Sequence, residues 1–200
     1  MRCLKKPILL FETIKVENGV ALNLDFHEAR AISACGGLKF SIREMLKKEC
    51  ESLKSSQIYR AKLVYNEFGE FAKCEIYPYV AREFKTFKLV EVDFKYEKKF
   101  LDRDLINHAF QKRDGCDEIL MLKDGFATDT SIANIAIFDG FNWLSPKKPL
   151  LQGTTRARLL ENGFLKLADI NRDMLLSTKK FAILNAMVGF KKIDKFEFIV

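Results

Sequence analysis

The sequence predicts a mixed α+β protein made of two units. Alternating apolar and polar stretches flank two helix-type patterns in the first part of the chain. In the second part, Asp-Gly pairs join apolar runs, which is typical of β-hairpins. The composition changes near residues 80–85. We therefore predict a small α+β domain over residues 1–82 and a larger β-rich domain over residues 83–200.

The first domain is predicted to run strand, strand, helix, helix, strand, strand. Asn18-Gly19 is a tight-hairpin signal between the first two strands. Asp25 with Glu28, and Ser41 with Glu44, have the spacing of a capping box at a helix start. The predicted elements are strands Ile8–Ile14 and Ala21–Leu24, a helix from Asp25 to Ala34, a helix from Ser41, and strands Gln57–Tyr65 and Phe71–Tyr79.

The second domain is predicted to contain more strands than helices. Turns are expected at Asp124-Gly125 and Asp139-Gly140. The predicted elements are strands Phe84–Phe94, Ile119–Leu122, Ile135–Phe138, Trp143-Leu144, Phe181–Met187 and Phe196–Val200, a basic strand after Gly189, and helices Asp102–Phe110, Gly153–Asn162 and Asp169–Leu176.

Residues 117–162 hold the best candidate for a functional site. The polar cluster Thr128–Ser131 lies between two apolar runs, and Gly153-Thr154-Thr155 opens a helix pattern. A helix start carries unpaired N–H groups and a partial positive charge, so it suits a phosphate. The alternative is that the threonines only cap the helix and that the acidic cluster is turn chemistry.

Composition excludes several classes of protein. No apolar run approaches the roughly 20 residues of a membrane span, and no signal peptide follows Met1. Two histidines and no Cys-x-x-Cys spacing argue against a metal site. The scattered cysteines predict free thiols and a cytoplasmic protein; they are Cys3, Cys35, Cys50, Cys74 and Cys116. Acids lie between the lysine pairs, which argues against nucleic acid; an anionic small molecule, or no functional role at all, explains the net charge of +7 as well. A nucleic-acid-binding protein is the alternative class.

Five motifs resemble the class IV aminotransferases in their order along nearly the whole chain. They are Phe11-Glu12-Thr13-Ile14, His27-x-x-Arg30, Thr128-Asp129-Thr130-Ser131-x-x-Asn134, Gly153-Thr154-Thr155-Arg156 and Asn185-Ala186-Met187. The resemblance implies a pyridoxal-phosphate enzyme of fold type IV, with a small α+β domain, a larger and mostly antiparallel domain, and a homodimer. This family includes branched-chain and D-amino-acid aminotransferases and 4-amino-4-deoxychorismate lyases.

The resemblance also implies which residues bind the cofactor. Lys99, shortly before Asp102-Arg103, matches the lysine that forms the internal aldimine. Lys98 is the competing candidate, and if residues 94–99 form a strand the two side chains point to opposite faces. Arg30 matches the phosphate arginine; the alternative is a helix-surface charge. Gly153, Thr154 and Thr155 match the phosphate-binding helix start.

Further matches concern the ring nitrogen and the substrate. Asp129 stands where the family usually has a glutamate that keeps the ring nitrogen protonated; a local turn cap is the alternative. Ser131 and Ile132 match donors to the phosphate, largely from the backbone. Thr13 matches a residue near the substrate in lyases. Only ten residues precede Phe11, fewer than is usual, so substrate contacts from that lead are expected to be absent.

The expected reaction is the conversion of 4-amino-4-deoxychorismate to 4-aminobenzoate and pyruvate, a step in folate biosynthesis. The compact chain and the basic surplus favour this lyase activity on a dianionic substrate. Lys99 would abstract the α-proton after releasing the cofactor to the substrate amine. The alternative is an aminotransferase for branched-chain or D-amino acids.

Overall fold

The computed structural model describes residues 6–53 and 56–200 and divides into two compact units. The first unit ends at Val80 and also takes in Lys98–Asp102, whereas the second consists of Ala81–Glu97 and Arg103–Val200. The sequence-based prediction has a single boundary between residues 82 and 83 and therefore does not include this second segment in the first unit. The segment that carries Lys99 therefore belongs to the first unit although residues of the second flank it on both sides.

The first unit has the predicted order of strands and helices. Its elements are β1 (Leu9–Glu17), β2 (Val20–Ala21), α1 (Leu24–Cys35), α2 (Ile42–Glu51), β3 (Tyr59–Asn66) and β4 (Phe71–Pro78). The strands form one antiparallel sheet in the order β2-β1-β3-β4. Asn18 and Gly19 both have positive φ, at 51° and 72°, as a two-residue hairpin turn requires.

Alternation along β1 divides its side chains between two faces of the sheet. Leu10, Ile14 and Val16 are buried in a core that also contains Leu46 of α2 and Leu63 of β3. The opposite face of the sheet therefore carries the alternate residues of β1, among them Phe11 and Thr13.

Helix capping in the first unit was predicted correctly at one helix and wrongly at the other. Ser41 caps α2, and its hydroxyl accepts from the backbone N–H of Glu44 at 3.2 Å. The predicted cap Asp25 is wrong: Asn23, in the left-handed conformation at φ 56°, precedes α1. Asparagine tolerates this conformation, so the helix begins at Leu24 and the predicted strand Ala21–Leu24 shrinks to Val20–Ala21. The carboxylate of Asp25 instead pairs with Arg43 at 2.6 Å.

The second unit is built around one nine-stranded sheet. Five of its strand pairings are antiparallel and three, β5 with β6, β5 with β13 and β9 with β10, are parallel. Its elements are β5 (Thr86–Glu91), α3 (Asp104–Gln111), β6 (Glu118–Lys123), β7 (Phe126–Thr130), β8 (Asn134–Phe138), β9 (Trp143–Pro146), α4 (Thr154–Glu161), β10 (Leu165–Ala168), α5 (Arg172–Ser177), β11 (Phe181–Asn185), β12 (Gly189–Ile193) and β13 (Glu197–Ile199).

Several predicted boundaries in the second unit are wrong by a few residues. Helix α3 begins at Asp104 rather than Asp102, and α5 is capped by Asn171 rather than Asp169. Aspartate and asparagine cap helices equally well, so the sequence could not choose between the last two. The side chain of Asp169 instead pairs with Lys147 at 3.0 Å. Strands β7 and β10 were not predicted, because β7 contains a polar cluster and β10 is only four residues long.

No helix among the described residues is both long and apolar enough to cross a membrane. The thiols of Cys35, Cys50, Cys74 and Cys116 are free, as predicted, whereas Cys3 lies outside the described residues.

Candidate active site

Lys99 lies on a short extended segment that is fixed against β1 of the first unit. The backbone N–H of Phe11 donates to the carbonyl of Lys99 at 3.0 Å, and Leu101 N–H donates to Leu9 at 2.8 Å. Residues 94–99 form no strand, so the argument from opposite strand faces does not apply. The two lysines still differ, because Lys98 is exposed and Lys99 is partly buried with its Nζ 4.7 Å from the centroid of the Phe11 ring.

Thr13 and a second lysine share the face of the first-unit sheet on which Phe11 lies. Thr13 pairs directly with Lys62 of β3 in the antiparallel register. The Nζ of Lys62 is 5.3 Å from the centroid of the Phe11 ring. Two ammonium groups thus lie near one aromatic ring, where the electron-rich faces attract cations. This basic face suits an anionic substrate.

A buried ionic cluster lies on the other face of β1 and was missed by sequence reasoning. Glu12 is fully buried, and Arg30 donates to both of its carboxylate oxygens, with Nε 3.0 Å from Oε1. His27 Nδ1 lies 2.6 Å from Glu12 Oε2. Burial alone would raise the pKa of Glu12, but Arg30 and His27 outweigh it and hold that pKa at about 2. The i, i+3 spacing of His27 and Arg30 opposite an acid at a core position was the available signal.

Arg30 is therefore not the exposed helix-surface charge considered above. Its side chain is only 15% exposed and is oriented by the Glu12 carboxylate. A bidentate pair of this kind fixes the plane of the guanidinium group. The predicted contact of Arg30 with a phosphate stays a prediction.

Asp129 is a buried carboxylate and one of the candidate site residues in the second unit. It lies on β7, and its two oxygens accept from Asn134 Nδ2 at 2.5 Å and from the backbone N–H of Leu151 at 2.9 Å. The bond from Leu151 comes from a segment 22 residues away, so Asp129 does not merely cap its own turn. Burial raises the pKa of Asp129 to about 6, although these hydrogen bonds and the charge of Arg156 oppose the increase.

Ser131 and Ile132 lie in a tight turn that is stabilised by hydrogen bonds to other protein groups. Ser131 donates its hydroxyl to Glu118 at 2.9 Å and its backbone N–H to the same carboxylate at 3.3 Å. The Ser131 carbonyl accepts from Arg103 at 2.6 Å. Ile132 N–H is 3.3 Å from the hydroxyl of Thr130. The structure thus gives both donors of Ser131 a protein partner.

The start of α4 confirms the helix start predicted at Gly153. Gly153 is the N-cap in extended conformation, and no side chain among the described residues caps it. Thr154 and Thr155 follow in the first turn, are buried, and have no acidic residue beside them in that turn. No acidic side chain of this turn therefore offsets its partial positive charge.

Arg156, another residue to which the sequence assigned no role, anchors the loop before α4. It is buried and donates to Ser145 Oγ at 3.1 Å, Gln152 Oε1 at 2.8 Å and the Pro146 carbonyl at 2.6 Å. Burial lowers the pKa of Arg156, and the nearby charge of Asp129 counters this. The arginine therefore supports a negative charge on Asp129 without a direct ion pair.

Comparison with known proteins places the chain in a family. The model for amino-transferase class IV matches residues 98–196. An uncharacterized protein from Haemophilus influenzae is 32% identical over 193 residues, covering 90% of this chain and 98% of its own. A crystal structure from Haemophilus somnus 129PT, provisionally assigned as a 4-amino-4-deoxychorismate lyase, has 31% identity and a TM-score of 0.84, covering 91% of this chain and 97% of its own.

A more distant structure shares the fold alone. It is a hypothetical aminotransferase from Mycobacterium tuberculosis in its PLP-bound form, with 15% identity and a TM-score of 0.76 over 95% of this chain and 81% of its own.

The chain belongs to the class IV aminotransferase family. This membership confirms the predicted mixed α+β fold, the class of pyridoxal-phosphate-dependent aminotransferases and lyases, and pyridoxal phosphate as the cofactor. Two features of the second unit fit that cofactor: the buried Asp129 suits its protonated ring nitrogen, and the uncapped start of α4 suits its phosphate.

Proposed function

We propose that the protein is a lyase that converts 4-amino-4-deoxychorismate to 4-aminobenzoate and pyruvate. The observation that carries this proposal is the basic face of the first-unit sheet, where Lys62 and Lys99 lie over Phe11 beside Thr13. The Lys62 ammonium group and the net charge of +7 suit a substrate with two carboxylates, whereas Lys99 is the residue that would hold the cofactor. The similarity to the Haemophilus somnus protein supports the same substrate.

Each predicted site residue has a defined part in this proposal. Pyridoxal phosphate supplies an electron sink that acidifies the carbon–hydrogen bond next to the substrate amine. Lys99 Nζ would hold the cofactor and then accept that proton. The Asp129 carboxylate would keep the ring nitrogen protonated. The first turn of α4, at Gly153, Thr154 and Thr155, would bind the phosphate, and the resemblance implies Arg30 as a further phosphate ligand.

Ser131 and Ile132 have an indirect part. Ser131 donates to Glu118 and accepts from Arg103, so hydrogen bonds fix the turn that it forms on both sides. This turn connects β7, which carries Asp129, to β8. We propose that the two residues keep the Asp129 carboxylate in place and offer the cofactor only backbone contacts.

The proposed chemistry balances without a second substrate. Lys99 takes the ring proton next to the amine, the carbon–oxygen bond to the enolpyruvyl group breaks, and the ring becomes aromatic. The bond cleavage releases the enolate of pyruvate, which takes up one proton at carbon and becomes pyruvate. Thr13, whose hydroxyl lies on the same face of β1 as Phe11, can pass that proton. The two products account for every atom of the substrate.

Reduction with borohydride tests the role of Lys99. We expect treatment of the holoenzyme to leave a pyridoxyl group on the peptide that contains residue 99, detected by mass spectrometry. Lys99→Ala should abolish both the label and the visible absorption band of the bound cofactor. Lys98→Ala is the matched control and should retain both. A label that stays in Lys99→Ala would reject the assignment.

The requirement for an acceptor separates the lyase from the alternative aminotransferase. We expect 4-aminobenzoate and pyruvate to form in equal amounts from 4-amino-4-deoxychorismate with no keto acid present. An aminotransferase would need a keto acid for every turnover and would release the keto form of a branched-chain or D-amino acid. Turnover only with a keto acid would reject the lyase.

We also propose that the protein is a cytoplasmic homodimer. The free thiols of the described residues fit a reducing compartment, and dimers are usual in the family that the sequence resembles. Sedimentation equilibrium of the holoenzyme would test the dimer; the mass of a single chain would reject it.

A further inference from the structure

Asn134 connects the two parts of the second unit to which the proposed function assigns the cofactor. It is the first residue of β8, lies directly opposite Asp129 of β7, and is 4% exposed. Its side-chain amide can donate two hydrogen bonds and accept others. No catalytic or binding role has been assigned to it above.

Both donor hydrogens of the Asn134 amide are used. Its Nδ2 donates to Asp129 Oδ1 at 2.5 Å and to the carbonyl of Leu151 at 2.8 Å. Leu151 completes the arrangement, because its N–H donates to the other Asp129 oxygen at 2.9 Å. Three hydrogen bonds thus close a ring through a carboxylate, an amide side chain and one peptide segment.

The oxygen of the same amide lies against the N-cap of α4. A Cβ built on Gly153 would lie 1.9 Å from Asn134 Oδ1, far inside any contact distance. Gly153 has a φ of −75°, which every residue can adopt. The glycine is therefore required by the space that Asn134 occupies and not by its backbone conformation.

We infer that Asn134 is a positioning residue that fixes the distance between the Asp129 carboxylate and the phosphate-binding start of α4. This inference rests on the proposed cofactor roles of these two groups. The cofactor ring is rigid, so its nitrogen and its phosphate-bearing carbon are a fixed distance apart. A protein that binds both ends must hold its carboxylate and its helix start at a matching spacing, and Asn134 contacts both.

Binding of inorganic phosphate and of pyridoxal phosphate to the cofactor-free protein tests the inference. Calorimetry gives the phosphate affinity, and absorbance gives the cofactor affinity. We expect Asn134→Ala to weaken both at least about tenfold, in the range found when residues that orient a ligand's partners are removed. Asn107→Ala, at an exposed position on α3, should bind both like the wild type.

A second control separates positioning from loss of stability. Leu175 of α5 is fully buried in the core of the second unit and has no part in the ring of hydrogen bonds. Leu175→Ala should lower the thermal midpoint but leave the phosphate affinity unchanged. If Leu175→Ala and Asn134→Ala weaken phosphate binding in proportion to their loss of stability, Asn134 is merely structural and the inference is rejected.

A double-mutant cycle gives an independent readout. Gly153→Ala should weaken phosphate binding strongly in the wild type, because its methyl group meets Asn134 Oδ1, and much less in Asn134→Ala. Equal effects in both backgrounds would reject the coupling. Failure of the proposed function has a different signature: the wild type itself would bind neither phosphate nor pyridoxal phosphate.

Discussion

Asp129 is the residue with the most informative titration. In the folded chain its pKa is raised to about 6 by burial, from an ordinary value of 3.8. The folded state therefore holds its proton more tightly than the unfolded state, and the free energy of unfolding should decrease as the pH rises from about 4 to about 6. Carboxyl NMR of the cofactor-free protein should show a group titrating near pH 6 that disappears in Asp129→Asn. A normal pKa for Asp129 would contradict this prediction.

Glu12 should show the opposite dependence on pH. Its pKa is held at about 2, below its ordinary 4.5, so the stabilisation from ionised Glu12 is complete above pH 4.5 and is lost as the pH falls towards 2. We expect Glu12→Gln to lower the free energy of unfolding at pH 7 by about 3 kcal/mol, since it removes the buried negative charge that Arg30 and His27 contact. Urea unfolding measures this change.

The matched control for Glu12 is Glu17→Gln. Glu17 pairs with Lys15 at 3.0 Å at a more accessible position on the same strand. A pair of that kind contributes at most about 1 kcal/mol. Equal losses from the two substitutions would show that the Glu12 cluster does not stabilise the fold as a buried pair.

The roles of single residues are harder to predict from the sequence than the positions of helices and strands. Lys99 and Asp129 could be proposed because their neighbours form motifs. Three other residues take their structural role from hydrogen-bond partners that are distant in sequence. The partners of Glu12 are 15 and 18 residues away, one partner of Asn134 is 17 residues away, and two partners of Arg156 are 10 and 11 residues away. Such pairings depend on strand register and loop paths, which a local pattern does not give in full. For the Glu12 cluster, the i, i+3 spacing of His27 and Arg30 was a partial signal.

At the scale of elements, the two N-terminal helices provide a direct test of capping. Ser41→Ala removes the bond to the Glu44 N–H and should cost about 1 kcal/mol of stability. Asp25→Ala should cost much less, because Asp25 caps no helix and only forms an exposed pair with Arg43. Thermal unfolding of the two variants gives the comparison, and a larger loss from Asp25→Ala would contradict the observed start of α1.

Most elements were predictable because their periodicity is strong. The hairpin turn at Asp124-Gly125 has positive φ at both residues, as the Asp-Gly signal indicates. Strand β7 was missed since its residues, Thr128 to Thr130, are polar yet buried. Their polar groups are satisfied by hydrogen bonds inside the unit, for example from Thr128 to Met121. A pattern of hydrophobicity cannot reveal a strand that buries polar side chains.

At the scale of the whole molecule, the charge of +7 should accelerate binding of an anionic substrate. We expect kcat/KM for 4-amino-4-deoxychorismate to fall several-fold between low salt and about 0.5 M salt, as screening shortens the range of the attraction. The value of kcat should change little, because the bound substrate is no longer attracted from a distance. Steady-state kinetics at several salt concentrations test this, and a kcat/KM independent of salt would contradict it.

Composition carries little information about which segments form each unit. The shift near residues 80–85 predicts a single boundary, and it cannot show that the chain returns to the first unit at Lys98–Asp102. That return depends on backbone hydrogen bonds of Lys99 and Leu101 with β1, and backbone groups leave no trace in composition.

This return of the chain has a consequence for the order of events during synthesis. The ribosome makes the first 80 residues, yet β1 still lacks the backbone partners that residues 99 and 101 supply. The first unit can therefore be completed only after residue 102 has left the ribosomal tunnel. The segment Lys98–Asp102 is then the last part of its unit to arrive, so Lys99, the proposed cofactor lysine, reaches β1 only after all of the preceding part of that unit has been made.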